Sequence, residues 1–183
     1  MSDSITQAFL DHAAWRLQYD YLPKANDCAG RFTEDAFWWR PHSGLNSMGN
    51  LTLHLCGNLR QWILHGLAGY ADIRERNLEF ADEGSLPKDE VMTRLNEITE
   101  RVAEVIRQQS PETLLEPRQI QGYPVNGLLA VFHVTEHFAQ HLGQMIYITK
   151  LRTGEDLQYF KLDENGYYAP ESSGGMSPSD RGL

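Results

Sequence analysis

Residues 132–150 read FHVTEHFAQHLGQMIYITK, and His133, His137 and His141 recur in that stretch at four-residue intervals. On an α-helix each such step advances about 40° around the axis, so the three imidazoles form one column, and Gln144 falls within it. Val131, Val134, Phe138, Leu142, Met145 and Ile146 occupy the adjoining arc as an apolar face. A helix with an apolar face beside a column of histidines suits the inside of a helical bundle that holds something polar.

Two histidines one turn apart can ligate a single metal ion. Three in a row span about 12 Å along the axis, too far to share an ion at bond lengths near 2 Å. One adjacent pair therefore ligates, and spacing alone does not choose between His133 with His137 and His137 with His141. The third ligand has to come from a facing helix, and His54 is the natural donor. Asn50, Asn58, Gln61 and His65 all fall within about 40° of it on a helical wheel, forming a polar stripe bordered by Leu51 and Trp62. Arg60 is the sole Lys, Arg, Asp or Glu between Met48 and Gly66, too little charge for an ordinary water-facing surface. Three protein ligands leave a coordination position open, the arrangement of a catalytic rather than a structural site. HFAQH lacks the Glu that follows the first His of HExxH metalloproteases, and Glu136 points about 100° away from His137, which disfavours peptide hydrolysis by that route.

The rest of the chain reads as further helices. Ser4 predicts the cap of a first helix from Ile5 towards Ala29, interrupted near Pro23. Phe37, Trp38 and Trp39 form an aromatic knot, read as a hydrophobic plug, with the wall of a ligand pocket as the alternative. His12 and His42 have no spaced partner. Ser47 predicts the cap of the helix that carries His54. Residues 70–84 are polar and aperiodic, so they read as a long connection, a crossover or a flap. Val91, Leu95, Ile98, Val102 and Ile106 mark a third helix, ending near Gln109. Residues 114–123 read as irregular or briefly extended; Pro124 or Asn126 opens the last helix, and Gly154 ends it. The Gly-, Ser- and Pro-rich tail, 166–183, reads as poorly ordered, leaving one domain over 1–165. Four long helices predict an all-α bundle.

Composition excludes several functions. The 183 residues suit one domain, 41% apolar and 22% charged, with a net charge of −9. Lys and Arg are dispersed, so no basic patch is available to meet nucleic-acid phosphates. The first residues lack the pattern of a secretory signal, and no apolar run approaches the roughly 20 residues that cross a bilayer. Cys28 and Cys56 are far apart and not in CxxC spacing, which favours a reducing cytoplasm and excludes a cysteine-built zinc site.

HFAQHLGQMIYITK resembles the final-helix signature of the DinB-like superfamily, approximately His-x-x-x-His-x-Gly-Gln, which includes YfiT-like metal-dependent hydrolases and thiol-dependent S-transferases. SMGNLTLHLCGNLRQWI resembles the helix that carries the third ligand in that superfamily, and WWRP and KLRTGEDL fit the same pattern. The resemblance covers most of residues 5–157. It implies a four-helix bundle of up-down-down-up order with His54, His137 and His141 as metal ligands, and so selects the second of the two histidine pairs. His133, Asn50, Asn58 and Gln144 are left to support the ligands or line the pocket. Gly143 would permit close helix packing, and Gln144 would orient His141 or meet a dimer partner. The implied cofactor is a divalent ion, with zinc or nickel best suited to three imidazoles and manganese or iron as alternatives. A small-molecule substrate, a low-molecular-weight thiol and a homodimer are implied as well. The reaction would be transferase or hydrolase chemistry; the alternative is a non-catalytic dimeric bundle whose metal is structural or sensory, since no general base or nucleophile is identifiable beside the three histidines.

Overall fold

In the computed structural model, which describes residues 2–159 and their side chains from Ser4 onward, almost every element is a helix. Helix α1 (Ser2–Trp15) runs through a π-helical turn, Arg16–Tyr21, into α2 (Leu22–Gly30). Pro23 sits at the start of α2, where a missing N–H costs least, so the chain stays helical through the predicted break. Ser4 lies inside α1, not at its cap.

A short α3 (Glu34–Phe37) leads to α4 (Met48–Leu59), which continues as a second π-helical turn, Arg60–His65. Ser47 caps α4: its hydroxyl accepts from the Asn50 N–H at 3.1 Å, while the Asn50 side chain accepts from the Ser47 N–H at 3.0 Å. Such a cap contributes about 1 kcal/mol. The connection 70–84 is not structureless, because it contains α5 (Arg76–Ala81). Helix α6 (Lys88–Arg107) follows, then a single turn, α7 (Pro111–Leu115).

Residues 117–126 form an antiparallel hairpin, β1 (Pro117–Ile120) and β2 (Tyr123–Asn126), where the sequence reads as irregular or briefly extended. Gln121 and Gly122 turn it with φ of 53° and 83°, a two-residue turn that asks for left-handed backbone at both positions. Pro124 therefore lies in a strand, and Asn126 caps the last helix, α8 (Gly127–Thr153), by accepting from the Leu129 N–H at 3.0 Å. Gly154, with φ of 70°, ends α8.

The long elements enclose one core. Helix α6 packs on α1 and α4, and α8 packs on α2 and α4. Leu10, Leu17, Leu55, Ile63, Leu95, Ile106 and Phe138 are fully buried where these faces meet. The aromatic knot forms a plug: Phe37 is buried and Trp38 packs edge-on against it at 5.5 Å. A Cβ on Gly49 would come within 2.5 Å of the Trp38 ring, so α4 needs glycine there. Gly143 differs from the expected close packing, because among the described residues nothing lies within 4 Å of where its Cβ would be. Among the described residues no helix is long and apolar enough to cross a membrane. The predicted tail, 166–183, lies outside the described residues.

Candidate metal centre

Helices α4 and α8 pack together, and that contact places His54 opposite His137 and His141. His54 is almost fully buried, at 4% exposure, in the middle of α4, flanked by the core residue Leu55. Its Nε2 lies 3.1 Å from His137 Nε2, and His141 Nε2 lies 3.2 Å from the same atom. One ring nitrogen from each of the three histidines falls within 4.8 Å of the others. Imidazoles bound to one ion at bond lengths of about 2.0–2.1 Å would have neighbouring nitrogens roughly 2.9–3.4 Å apart.

The outer ring nitrogens decide where the protons sit. His54 Nδ1 is 2.8 Å from Glu79 Oε2, and that carboxylate can only accept, so His54 carries its proton on Nδ1. Arg74 Nη2 also approaches His54 Nδ1, at 3.2 Å, but it donates to Glu79 Oε2 at the shorter 2.9 Å. His141 Nδ1 in turn donates to Gln144 Oε1 at 2.9 Å. Both His54 and His141 therefore aim Nε2 lone pairs at His137 Nε2. His137 can donate one proton at most to the pair, and its Nδ1 is buried with no partner among the described residues. A cluster with more lone pairs than protons is what a cation at the convergence point would satisfy, and neutral imidazole with a carboxylate on its far nitrogen is the usual state of a metal-binding histidine.

Burial disfavours the charged form of the two rings that α8 contributes. Burial, reinforced by the charges that His141, His54 and His133 would carry, holds His137 down to about 3. Burial also lowers His141, against the opposing hydrogen bond to Gln144. For Glu79, burial opposes ionisation, but the hydrogen bonds from Arg74 and His54 outweigh it and hold the carboxyl below its ordinary value. Arg74 and Glu79 are nearly enclosed, with side-chain exposures of 3% and 10%.

The polar stripe of α4 turns out to be the seat of the connection 70–84. The Asn50 amide donates to the carbonyls of Glu79 and Asp82 at 3.0 and 2.8 Å, Gln61 donates to Asp72 at 2.9 Å and accepts from Arg74 at 3.0 Å, and His65 Nδ1 meets the Tyr70 carbonyl at 2.7 Å. Arg40 adds hydrogen bonds to the carbonyls of Phe80 and Asp82. Asn58 alone faces the other way, its amide 3.1 Å from His133 Nε2. His133 stacks on Trp62 at 3.8 Å and packs beside His137 at 5.2 Å. Asn50 thus reaches the centre only through the backbone of Glu79, whereas Gln144 and Asn58 hold histidine rings directly. Arg74, Glu79 and Phe80 escape a reading of the sequence, because they share no periodicity and meet α4 only after the connection folds back.

Residues 4–166 match a family described as a protein of unknown function, DUF1572. The chain belongs to the DUF1572 family. No curated protein matches it. In this DUF1572 chain His54 and His137 line a pocket of about 790 Å³ together with Asn58, Trp62, His133 and the β2 residues Tyr123 and Val125. Ile120 is fully buried and fills the space beside Gly66, which seats the hairpin at the end of the helix that carries His54. Neither cysteine offers a ready nucleophile: Cys28 is buried in the core, and burial pushes the Cys56 thiol up to about 12.

Proposed function

We propose that this DUF1572 chain is a DinB-like four-helix bundle of up-down-down-up order, one domain over residues 1–165, that holds one divalent ion on His54, His137 and His141. The observation that carries the reading is the approach of the His54 and His141 Nε2 atoms to His137 Nε2, at 3.1 and 3.2 Å, with the protons of the outer two rings engaged elsewhere. Zinc or nickel suits a donor set of three neutral imidazoles; manganese and iron are the alternatives. When bound, the ion supplies Lewis acidity to a water or thiol in transferase or hydrolase chemistry on a small molecule.

The chain's own residues supply position and enclosure. Glu79 fixes the proton of His54, Gln144 fixes that of His141, and Arg74 neutralises Glu79. Trp62 and His133, stacked on each other, line the pocket that His54 and His137 also line. A cytoplasmic setting follows the cysteine usage, and a homodimer follows the DinB resemblance; among the described residues nothing covers the side of α8 at Gly143, and Tyr147 and Leu151 are exposed.

The test is the cobalt(II)-loaded protein. A catalytic centre keeps a position for solvent, so adding a small thiol or azide shifts the visible absorption of the bound cobalt. An unchanged spectrum at saturating thiol and azide would favour the structural or sensory role instead.

A further inference from the structure

Arg76 opens α5 and lines the same pocket as His54 and His137. Its guanidinium carbon lies 5.0 Å above the Phe80 ring, and the Phe80 ring lies 4.7 Å from that of His54. Phe80 thus contacts both the guanidinium and the His54 ring, to which it is tilted by 37°, and ties Arg76 to the histidine cluster. Resting one face on an aromatic ring leaves the N–H edge of a guanidinium free for a planar anion. Among the described residues no carboxylate pairs with Arg76, whereas Arg74 is held by Glu79. Glu136, the one carboxylate on the lining, acts on His133. Val125, Leu129 and Phe132 give the same pocket an apolar part of its lining, with Leu129 50% and Phe132 57% exposed. A protein of net charge −9 thus presents an unmatched cation and an apolar wall at the entrance to its histidine cluster.

We infer that the pocket takes a small molecule with a planar anionic group and an apolar body, and that Arg76 anchors the anion while Val125, Leu129 and Phe132 receive the body. A bidentate guanidinium–carboxylate contact sets the orientation, and Phe80, in contact with both Arg76 and His54, sets how far the anion stands from His54. The assignment deepens the reading of this pocket as a metal site, yet the anchor itself belongs to α5 and does not need the ion to be present.

The test uses 3-phenylpropionate and its uncharged isostere 3-phenylpropionamide in calorimetric titrations of the full chain, metal-loaded and chelator-treated, as wild type and as Arg76→Gln. Wild type binds the acid at least about tenfold more tightly than the amide, and Arg76→Gln brings the two within about twofold while leaving the Tm and the metal content unchanged. The dependence on Arg76 persists in the chelated protein, so a wild type that retains no metal would sink the metal reading without touching this one. Equal binding of acid and amide by wild type, an acid preference that survives Arg76→Gln, or no binding of either compound would overturn it.

Discussion

Glu79 governs the buried ring that α4 contributes. With Oε2 on His54 Nδ1 and Oε1 accepting from Arg74 Nε at 2.7 Å, it fixes both the tautomer and the tilt of His54. Glu79→Ala should weaken metal binding by about 10–100-fold in a competition titration with a chromophoric chelator, the usual loss on removing a ligand's hydrogen-bond partner. Protons compete for the same nitrogens. His137 is held at about 3 in the folded chain against 6.5 for the free group, so between those values the unfolded chain binds the extra proton. Stability of the metal-free protein therefore rises with pH across that window and is lost as pH falls from about 6.5 towards 3, with a limiting slope of about 1.4 kcal/mol per pH unit. The depressed carboxyl of Glu79 adds loss in the same direction on acidification. Urea melts of chelated protein at pH 7 and pH 5 would show it as a lower midpoint at pH 5. At this scale, the four-residue spacing and a polar stripe nearly free of charge mark His54, His133, His137 and His141 as candidates, and the DinB resemblance selects His137 with His141 over His133 with His137. Neither marks Glu79 or Arg74, because residues from an aperiodic connection carry no pattern that points to α4.

The elements explain how an aperiodic connection becomes part of the site. Residues 70–82 run antiparallel to α4, so that Tyr70 meets His65, Asp72 and Arg74 meet Gln61, Glu79 meets His54, and Asp82 meets Asn50. The stripe is legible from helical spacing alone, but its partner is not, since polar side chains that bond backbone carbonyls accept almost any sequence in return. At Gly57 the connection comes close to α4. A Cβ there would lie 1.9 Å from Glu79 Oε1 and 2.8 Å from Arg74 Nε, while Ala is the better helix former by about 1 kcal/mol. Both clashing groups are the ends of flexible side chains, so Gly57→Ala should fold, displace the pair and weaken metal binding much as Glu79→Ala does. Circular dichroism at the wild-type level with metal affinity unchanged would show that the pair does not hold His54. The hairpin is hidden in the sequence for a related reason: its strands are four residues each, and its turn relies on Gln121 at positive φ, a residue that carries no turn signal of its own.

At the scale of the whole molecule, the helices exist to bring two faces together. Periodic apolar residues on α1, α4, α6 and α8 build one core, and such periods are the most legible signal in any sequence, which is why the helical class can be read before the structure. Where the helices cross, the core is interrupted by three imidazoles whose inner nitrogens face one another, an arrangement that would be costly with nothing between them. The net charge of the chain is −9, while the pocket lining carries Arg74 and Arg76 against a single carboxylate, Glu136. The central claim is thus about occupancy of one point between α4 and α8. Metal content per chain, measured by plasma mass spectrometry on wild type and on His54→Ala, His137→Ala, His141→Ala and His133→Ala, tests it most directly. The account predicts about one divalent ion per chain in wild type and in His133→Ala, and its loss from the other three with helicity retained. Full metal content in His137→Ala, or loss from His133→Ala alone, would contradict it.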